Sequence, residues 1–178
     1  MKIVKKIFKW GGITLVVLLG AMVAIPYFFK DTIKEKVIEM VNKNLKANLS
    51  LADVDISLFK SFPKAQITLS DFALVNKEPF VGDTLFAAKH IDVTLSVKDL
   101  MAGNYNLLGA NVKDASAYIH FNKEGAGNFD IAIPSDTPEE ESAPIKLDIQ
   151  SYNVENLKFT FKMDDGNIFM EIADIYHS

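Results

Sequence analysis

Three histidines, His90, His120 and His177, are the residues best suited by type to catalysis or metal binding. His90 and Asp92 would share one face of a strand because they are two residues apart, and His120 lies next to Phe121 in another strand. Two histidines and an aspartate could ligate a metal, but the sequence has no close pairing such as HxxxH. We therefore expect solvated histidines on the polar side of strands and no metal site.

The other polar motifs are typical of turns. The sequence "DDGN" at 164–167 lacks the alternating carboxylates of a calcium loop, and its Gly166 and Asn167 suit a hairpin. The glycines of "KEGAGN" precede no helix whose N-terminus could bind a phosphate. Serine and aspartate are plentiful, but none is paired with a base that would activate it. We predict that the protein is not an enzyme and has no cofactor; a hydrolase remains the third alternative.

Composition limits the class of protein and its partners. The 178 residues are 49% apolar and 24% charged, which suits one folded domain. Cysteine and arginine are absent, so thiolate chemistry and bidentate binding of phosphate by a guanidinium are excluded. The net charge is −4, and residues 1–30 hold five lysines without an acid, so the remainder is more acidic than the whole. An acidic body argues against nucleic acid as a partner.

The N-terminal segment has the length and composition of a membrane span. No charged residue occurs between Trp10 and Phe29, lysines precede this stretch, and aromatic residues lie at both of its ends. The alternative is a cleaved signal peptide, but the small residues here form no good cleavage site. We predict a cytoplasmic lysine cluster and a retained transmembrane anchor in residues 1–30, with residues 31–178 on the far side of the membrane.

An amphipathic helix is predicted directly after the anchor. Ile33, Val37, Val41 and Leu45 recur every four residues, and Ile38 and Met40 widen this apolar stripe. The stripe suits a helix that caps the end of a following sheet. A membrane-surface face or a partner-binding face is the alternative.

From Asn48 onward the apolar period changes to two, which indicates strands. The phase of alternation slips near Ala52-Asp53, at Asp71 and at Asp114. The spacing of the strands is typical of an antiparallel meander, interrupted by a short helical turn that ends at Gly103. "NFDIAIP" is a further predicted strand, and "IKLDIQ" and "NLKFTFK" are predicted as two. One face should carry the apolar residues Val54, Ile56, Leu58, Ile67, Leu69, Ile91, Val93, Leu95 and Val97.

The predicted fold is mostly β: a transmembrane helix, an amphipathic helix and an antiparallel, curved sheet that is open at its C-terminal edge. "PSDTPEEESAP" at 134–144 has the composition of an exposed loop. The last strand, near 168–175, should keep its outer edge unpaired.

Three stretches carry a family resemblance: "SLFKSFP" (57–63), "FVGDTLFAAK" (80–89) and "EGAGNFDI" (124–131). With the preceding helices, the chain resembles the N-terminal region of the AsmA family, which belongs with the bridge-like lipid-transfer proteins. Phe129 stands where the family usually has tryptophan. Members also continue well beyond the length of this chain, so the resemblance fits a truncated copy or a short relative.

The resemblance implies an inner-membrane protein that faces the periplasm and forms a β-groove lined by apolar side chains. The nine apolar residues named above then become the predicted lining for phospholipid acyl chains. On this interpretation the protein contributes to lipid transport and outer-membrane biogenesis. The alternative is a periplasmic interaction protein that assists outer-membrane protein assembly, with its apolar face closed upon itself and no lipid carried.

Overall fold

The computed structural model describes residues 20, 24, 27, 28, 30–32, 34–61, 64–102, 104–133 and 145–178. Helix α1 covers residues 34–44, and helical residues also precede it. The strands are β1 (Ala47–Ser50), β2 (Asp53–Ser61), β3 (Lys64–Asn76), β4 (Thr84–Ser96), β5 (Tyr105–Phe121), β6 (Ile145–Met163) and β7 (Ile168–His177), and helix α2 (Val97–Met101) lies between β4 and β5. The predicted loop 134–144 and nearly all of the predicted anchor 1–30 lie outside the described residues.

The strands form one curved, open sheet of seven strands in the order β1-β3-β4-β5-β6-β7, with β2 also paired to β3. β1 and β2 meet β3 end to end, at opposite halves of its length. The predicted phase slip near Ala52 marks the break between these two strands. β7 is therefore an edge strand, and among the described residues it pairs only with β6.

The sheet is mixed, so the prediction of an antiparallel sheet was wrong at one pairing. β5 and β6 are parallel, with Tyr105 opposite Ile145 and Phe121 opposite Met163. Parallel neighbours need a long crossover connection, and residues 122–144 provide it. The segment predicted as the strand "NFDIAIP" belongs to this connection, and its described residues form a single isolated bridge, between Ala132 and Leu45.

Two further strand predictions were also wrong. The two strands predicted at "IKLDIQ" and "NLKFTFK" are one strand of 19 residues, β6, with a register shift near its start. Gly109 lies at this shift, where an added Cβ would be 2.9 Å from Ser151 Oγ, so the close approach of β5 and β6 requires glycine there. Val97 was predicted in a strand but is the first residue of α2.

A row of left-handed residues crosses the sheet. Asp71 in β3, Asp114 in β5, Asn156 in β6 and Asp174 in β7 all have positive φ, between 48° and 57°. Asp and Asn tolerate this conformation better than other residues with a Cβ. The phase slips predicted at Asp71 and Asp114 are therefore confirmed, and Asn156 Nδ2 donates a hydrogen bond of 2.6 Å to Asp114 Oδ1 within the row.

The left-handed row keeps the apolar side chains on one side of the sheet. Leu69 and Phe72 are three residues apart, which would place them on opposite faces of a regular strand. Both nevertheless pack against the same buried cluster of Leu49, Leu51 and Val54. In β5, β6 and β7, side chains three residues apart likewise share one face where a left-handed residue lies between them. In β4, Ile91 and Ala88 have the same three-residue spacing, but no residue of this strand has positive φ.

Candidate functional site

The apolar face of the sheet is built from rows of residues that oppose one another across the strands. On one side of the left-handed row, the first such row is Leu69, Ile91, Val112 and Val154. On the other side, a matching row is Leu74, Phe86, Ala117, Phe159 and Ile172. Side chains within a row share one face because directly opposed residues point the same way. The face therefore runs from β3 to the edge strand β7.

Helix α1 covers the β2–β3 end of this face. Ile38 and Val41 pack against the buried cluster of Leu49, Leu51 and Val54, together with residues of β2 and β3. This confirms the predicted packing of the helix on the sheet. Val37 and Met40 were predicted in the apolar stripe but are 39% and 64% exposed. The packed residues are instead Ile38 and Val41, at the three-residue spacing of one helical face, and the predicted Ile33 lies outside the described residues.

The β5–β7 end of the face has no such cover among the described residues. On β7, Ile168, Met170 and Ile172 are between 45% and 49% exposed. On β5 and β6, the rings of Phe121 and Phe161 lie 5.8 Å apart. Phe129 stacks edge-on against Phe121 at 5.4 Å and is 50% exposed. We call the half-buried and exposed residues Phe121, Phe129, Phe159, Phe161, Ile168, Met170 and Ile172 the open apolar surface.

The predicted lining residues fall in different environments. Pairing across the strands places Val54, Ile56, Ile67, Leu69, Ile91 and Val93 on one face, and Leu95 joins them opposite the buried Ala65. Val54 is itself in the buried cluster, and Ile56, Ile67 and Leu69 pack against it near α1. Leu58 lies in β2 beyond the last regular pair with β3. Val97 is in α2 and does not extend this face. The role of these residues in binding lipid stays a prediction.

Sequence reasoning predicted exposed apolar residues on the last strand, β7, but missed the part of the open apolar surface that β5, β6 and Phe129 contribute. Its signal was the alternation of Phe159, Phe161 and Met163 in "NLKFTFKM", which matches the alternation in "IFMEI" on β7. These positions pair directly in the structure, since Phe161 opposes Met170 and Phe159 opposes Ile172.

The opposite face of the sheet carries a hydrogen-bonded chain of polar side chains. Thr68 Oγ1 and Asn111 Nδ2 donate to the two carboxylate oxygens of Asp92 at 2.6 and 3.2 Å. Asn153 Nδ2 then donates to Asn111 Oδ1 at 3.1 Å. Burial raises the pKa of Asp92, but hydrogen bonds from Thr68, Gln66 and Asn111 lower it more, so this pKa lies below its usual value. These side-chain hydrogen bonds make the face polar and link β3, β4, β5 and β6.

A second polar group, which we call the polar knot, consists of Asn76, Asp83, His120, Asn128 and Asp164. His120 Nδ1 lies 2.6 Å from Asp83 Oδ2, and Nε2 lies 3.1 Å from Asp164 Oδ2. Asn128 is 1% exposed, accepts from the backbone N–H of His120 at 3.0 Å and donates to the Tyr118 carbonyl at 2.8 Å. Three segments distant in sequence are thus joined at one end of the sheet.

The expectation of solvated histidines was wrong for His120. Its side chain is only 12% exposed because Phe80 and Tyr118 pack against the ring. His90 is exposed, as expected, and His177 is exposed beside Tyr152. Within the described part of the chain, no group of three His, Cys, Asp or Glu residues could hold a metal ion. The hydrogen bond from Lys162, followed by that from His120, lowers the pKa of Asp164.

An open β-sheet whose apolar face is only partly covered by a helix is typical of proteins that use the uncovered part of the face for binding. The AsmA family model matches residues 1–171, and the chain belongs to the AsmA family. No curated protein and no solved structure gives a significant match. Among the residues described, no helix is both long and apolar enough to cross a membrane.

Proposed function

We propose that the protein is an inner-membrane-anchored periplasmic protein whose open apolar surface binds phospholipid acyl chains. In this role it contributes to lipid transport and outer-membrane biogenesis, and it performs no catalysis. The observation that carries the proposal is the exposure of Ile168, Met170, Ile172 and Phe129 beside half-buried aromatic rings on a folded sheet. Contiguous exposed apolar surface on a folded domain marks sites that bind ligands, lipids or other proteins, whereas isolated exposed apolar residues do not.

The dimensions of the sheet suit single acyl chains. Five pairings separate β1 from β7 along the sheet, and neighbouring strands lie about 4.8 Å apart, so the sheet is roughly 24 Å wide. The hydrocarbon core of a bilayer is about 30 Å thick, so one leaflet's chains extend about 15 Å. The sheet width therefore exceeds the length of one such chain. A sheet of this width does not extend across the space between two membranes.

The alternative function, a periplasmic interaction protein without lipid carriage, is favoured by one observation. β7 is an edge strand on which nine of ten residues are exposed. Such an edge is suited to pairing with a strand of another protein. In that case the apolar side chains beside it would contact protein.

Site-specific photocrosslinking separates these two functions. A photoreactive amino acid is placed at Phe161, on the open apolar surface, or at Thr160, the preceding residue of β6, which faces the other way opposite Glu171. After irradiation in cells, mass spectrometry of the purified full chain identifies the adducts. Lipid adducts at 161 but not at 160 are expected. Protein adducts at 161 without any lipid would favour the interaction protein, and equal lipid labelling of both positions would reject the assignment of the face.

A further inference from the structure

Helix α1 is fixed to the sheet along one side. Ile38 and Val41 pack against the buried cluster near β2 and β3. Lys34 Nζ also donates a hydrogen bond of 2.6 Å to the carbonyl of Ala52, at the break between β1 and β2. These contacts fix the rotation of the helix about its axis, so the directions in which its exposed residues point are fixed as well.

The two exposed flanks of α1 differ in chemistry. We call the exposed residues Lys36, Val37, Met40 and Lys43 the basic apolar flank. At about 100° per residue, these four residues lie within a third of the helix circumference, beside and opposite the packed side. Val37 and Met40 are 39% and 64% exposed. Glu35 and Glu39 are exposed on the other flank, so the basic apolar flank has two positive charges and no carboxylate.

The predicted membrane anchor ends shortly before this helix. Its uncharged stretch stops at Phe29, and Tyr27 and Phe28 at its end are 72% and 73% exposed. Aromatic residues at the end of a span mark the level of the lipid headgroups. Met40 follows Phe29 by eleven residues, so an upright helix would hold it about 16 Å above that level, whereas the headgroup layer is roughly 5–8 Å thick. The basic apolar flank therefore reaches the headgroups only if α1 lies along the membrane surface.

We propose that α1 lies along the membrane surface with its basic apolar flank in the headgroup layer, and that anionic lipid is the partner of this flank. Val37 and Met40 are then removed from water, and Lys36 and Lys43 lie beside lipid phosphates, as in interfacial amphipathic helices. The sheet packs on the other side of the helix and stays in water. Pro26 provides a position for the change of direction because proline interrupts the hydrogen bonding of a helix. This inference rests on the membrane anchor of the proposed function and adds the orientation of the domain on the bilayer.

Accessibility of nitroxide spin labels tests this orientation in the full chain, reconstituted in vesicles of phosphatidylglycerol and phosphatidylethanolamine. The chain has no cysteine, so each single-cysteine variant carries one label. Met40→Cys reports on the basic apolar flank, and Glu35→Cys is its matched control on the acidic flank. Glu35 is five residues closer to the anchor, so an upright helix would place it about 7.5 Å nearer to the bilayer. The two orientations therefore predict opposite orders of membrane contact.

Collisions with oxygen, which concentrates in lipid, and with a water-soluble nickel chelate are measured for each label. We expect the ratio of oxygen to nickel collisions to be at least fivefold higher for Met40→Cys than for Glu35→Cys. An equal or lower ratio for Met40→Cys would overturn the proposed orientation. A Met40→Cys label shielded from both reagents would show that protein covers this flank, either a partner or a second copy of the chain, and would also reject lipid.

A label at Leu19→Cys, in the middle of the predicted anchor, separates failure of this inference from failure of the proposed function. A water-exposed label at this position would overturn the membrane anchor and the inference with it. A lipid-exposed label there, together with equal ratios for Glu35→Cys and Met40→Cys, would overturn the inference alone.

The role of charge is tested in the Met40→Cys background. Lys36→Gln with Lys43→Gln removes both charges of the flank, and Lys98→Gln with Lys123→Gln makes the same change at exposed positions outside α1. We expect the first pair to lower the oxygen-to-nickel ratio of the label at least threefold and the second pair to leave it unchanged. Equal ratios for the two pairs would reject anionic lipid as the partner of this flank.

Discussion

Replacing Phe161 by lysine should separate lipid binding from folding. Phe161 is half-buried on the open apolar surface and contacts the ring of Phe121. Full burial of such a side chain contributes about 1.5–3 kcal/mol, so half burial contributes about 1 kcal/mol. Loss of the aromatic pair adds about 0.5–1.5 kcal/mol. The total, about 2 kcal/mol, is smaller than the roughly 5–15 kcal/mol by which domains are stable, so Phe161→Lys should fold.

Two further variants complete the design. Thr160→Lys places the same charge on the opposite face, beside Glu171, and should change neither folding nor lipid binding. Leu69→Lys places it against the buried cluster near α1. There the lost packing costs about 2–5 kcal/mol, and desolvation of the ammonium adds to this cost. We expect Leu69→Lys to unfold or to lose most of its stability.

The assay is thermal unfolding by circular dichroism together with mass spectrometry of bound phospholipid, both on the same purified full-length variants. Phe161→Lys should unfold only slightly below the unmodified chain and should carry much less phospholipid than Thr160→Lys. Equal lipid content in these two variants would refute the role of the open apolar surface. Unfolding of Phe161→Lys as severe as that of Leu69→Lys would refute the distinction between its covered and open ends.

Four other predictions concern the rest of the chain. Asp71→Gly should leave stability within about 0.5 kcal/mol, whereas Asp71→Val should cost about 1–2 kcal/mol at its positive φ, both measured by chemical denaturation. Because the pKa of Asp92 is lowered on folding, its stabilisation is present above pH 4 and is lost as the pH falls through the folded-state pKa; Asp92→Asn should flatten this part of a stability-versus-pH curve. Ile172→Lys should reduce self-association through the β7 edge, measured by light scattering of the full chain at several concentrations. Protease added to spheroplasts should digest the chain beyond about Lys30 and spare the N-terminus; a cytoplasmic, protected chain would contradict the proposed topology.

The sequence predicted the local features of the fold well. Period-two alternation located most strands, and the spacing of apolar residues revealed the phase slips at Asp71 and Asp114, where the backbone has positive φ. Both signals depend only on which side chains share a face within one strand. The hairpin at 164–167 was also predicted from its residue types, and Gly166 and Asn167 have the positive φ that such a turn requires.

The pairing of strands could not be obtained in the same way. Alternation reports faces but not neighbours, so it could not show that β5 and β6 are parallel. The polar knot was equally inaccessible because Asp83 before β4, His120 in β5 and Asp164 after β6 are far apart in sequence and meet only when the strands pair. The exposed apolar residues of β7 were predicted at an edge, but the extent of cover by α1 depends on three-dimensional packing.

The left-handed row also restricts how the chain can change in length. Asp71, Asp114 and Asn156 lie at one level across β3, β5 and β6, and each resets the alternation of its own strand there, while β4 makes its step at this level without a left-handed residue. Inserting or deleting one residue within a single strand would move that reset out of line and turn the adjoining side chains of that strand toward the wrong face, while its neighbours stayed correct. Length changes should therefore be tolerated in the predicted loop 134–144, outside the sheet and the polar knot, and a viable change within the sheet would have to occur in several strands together.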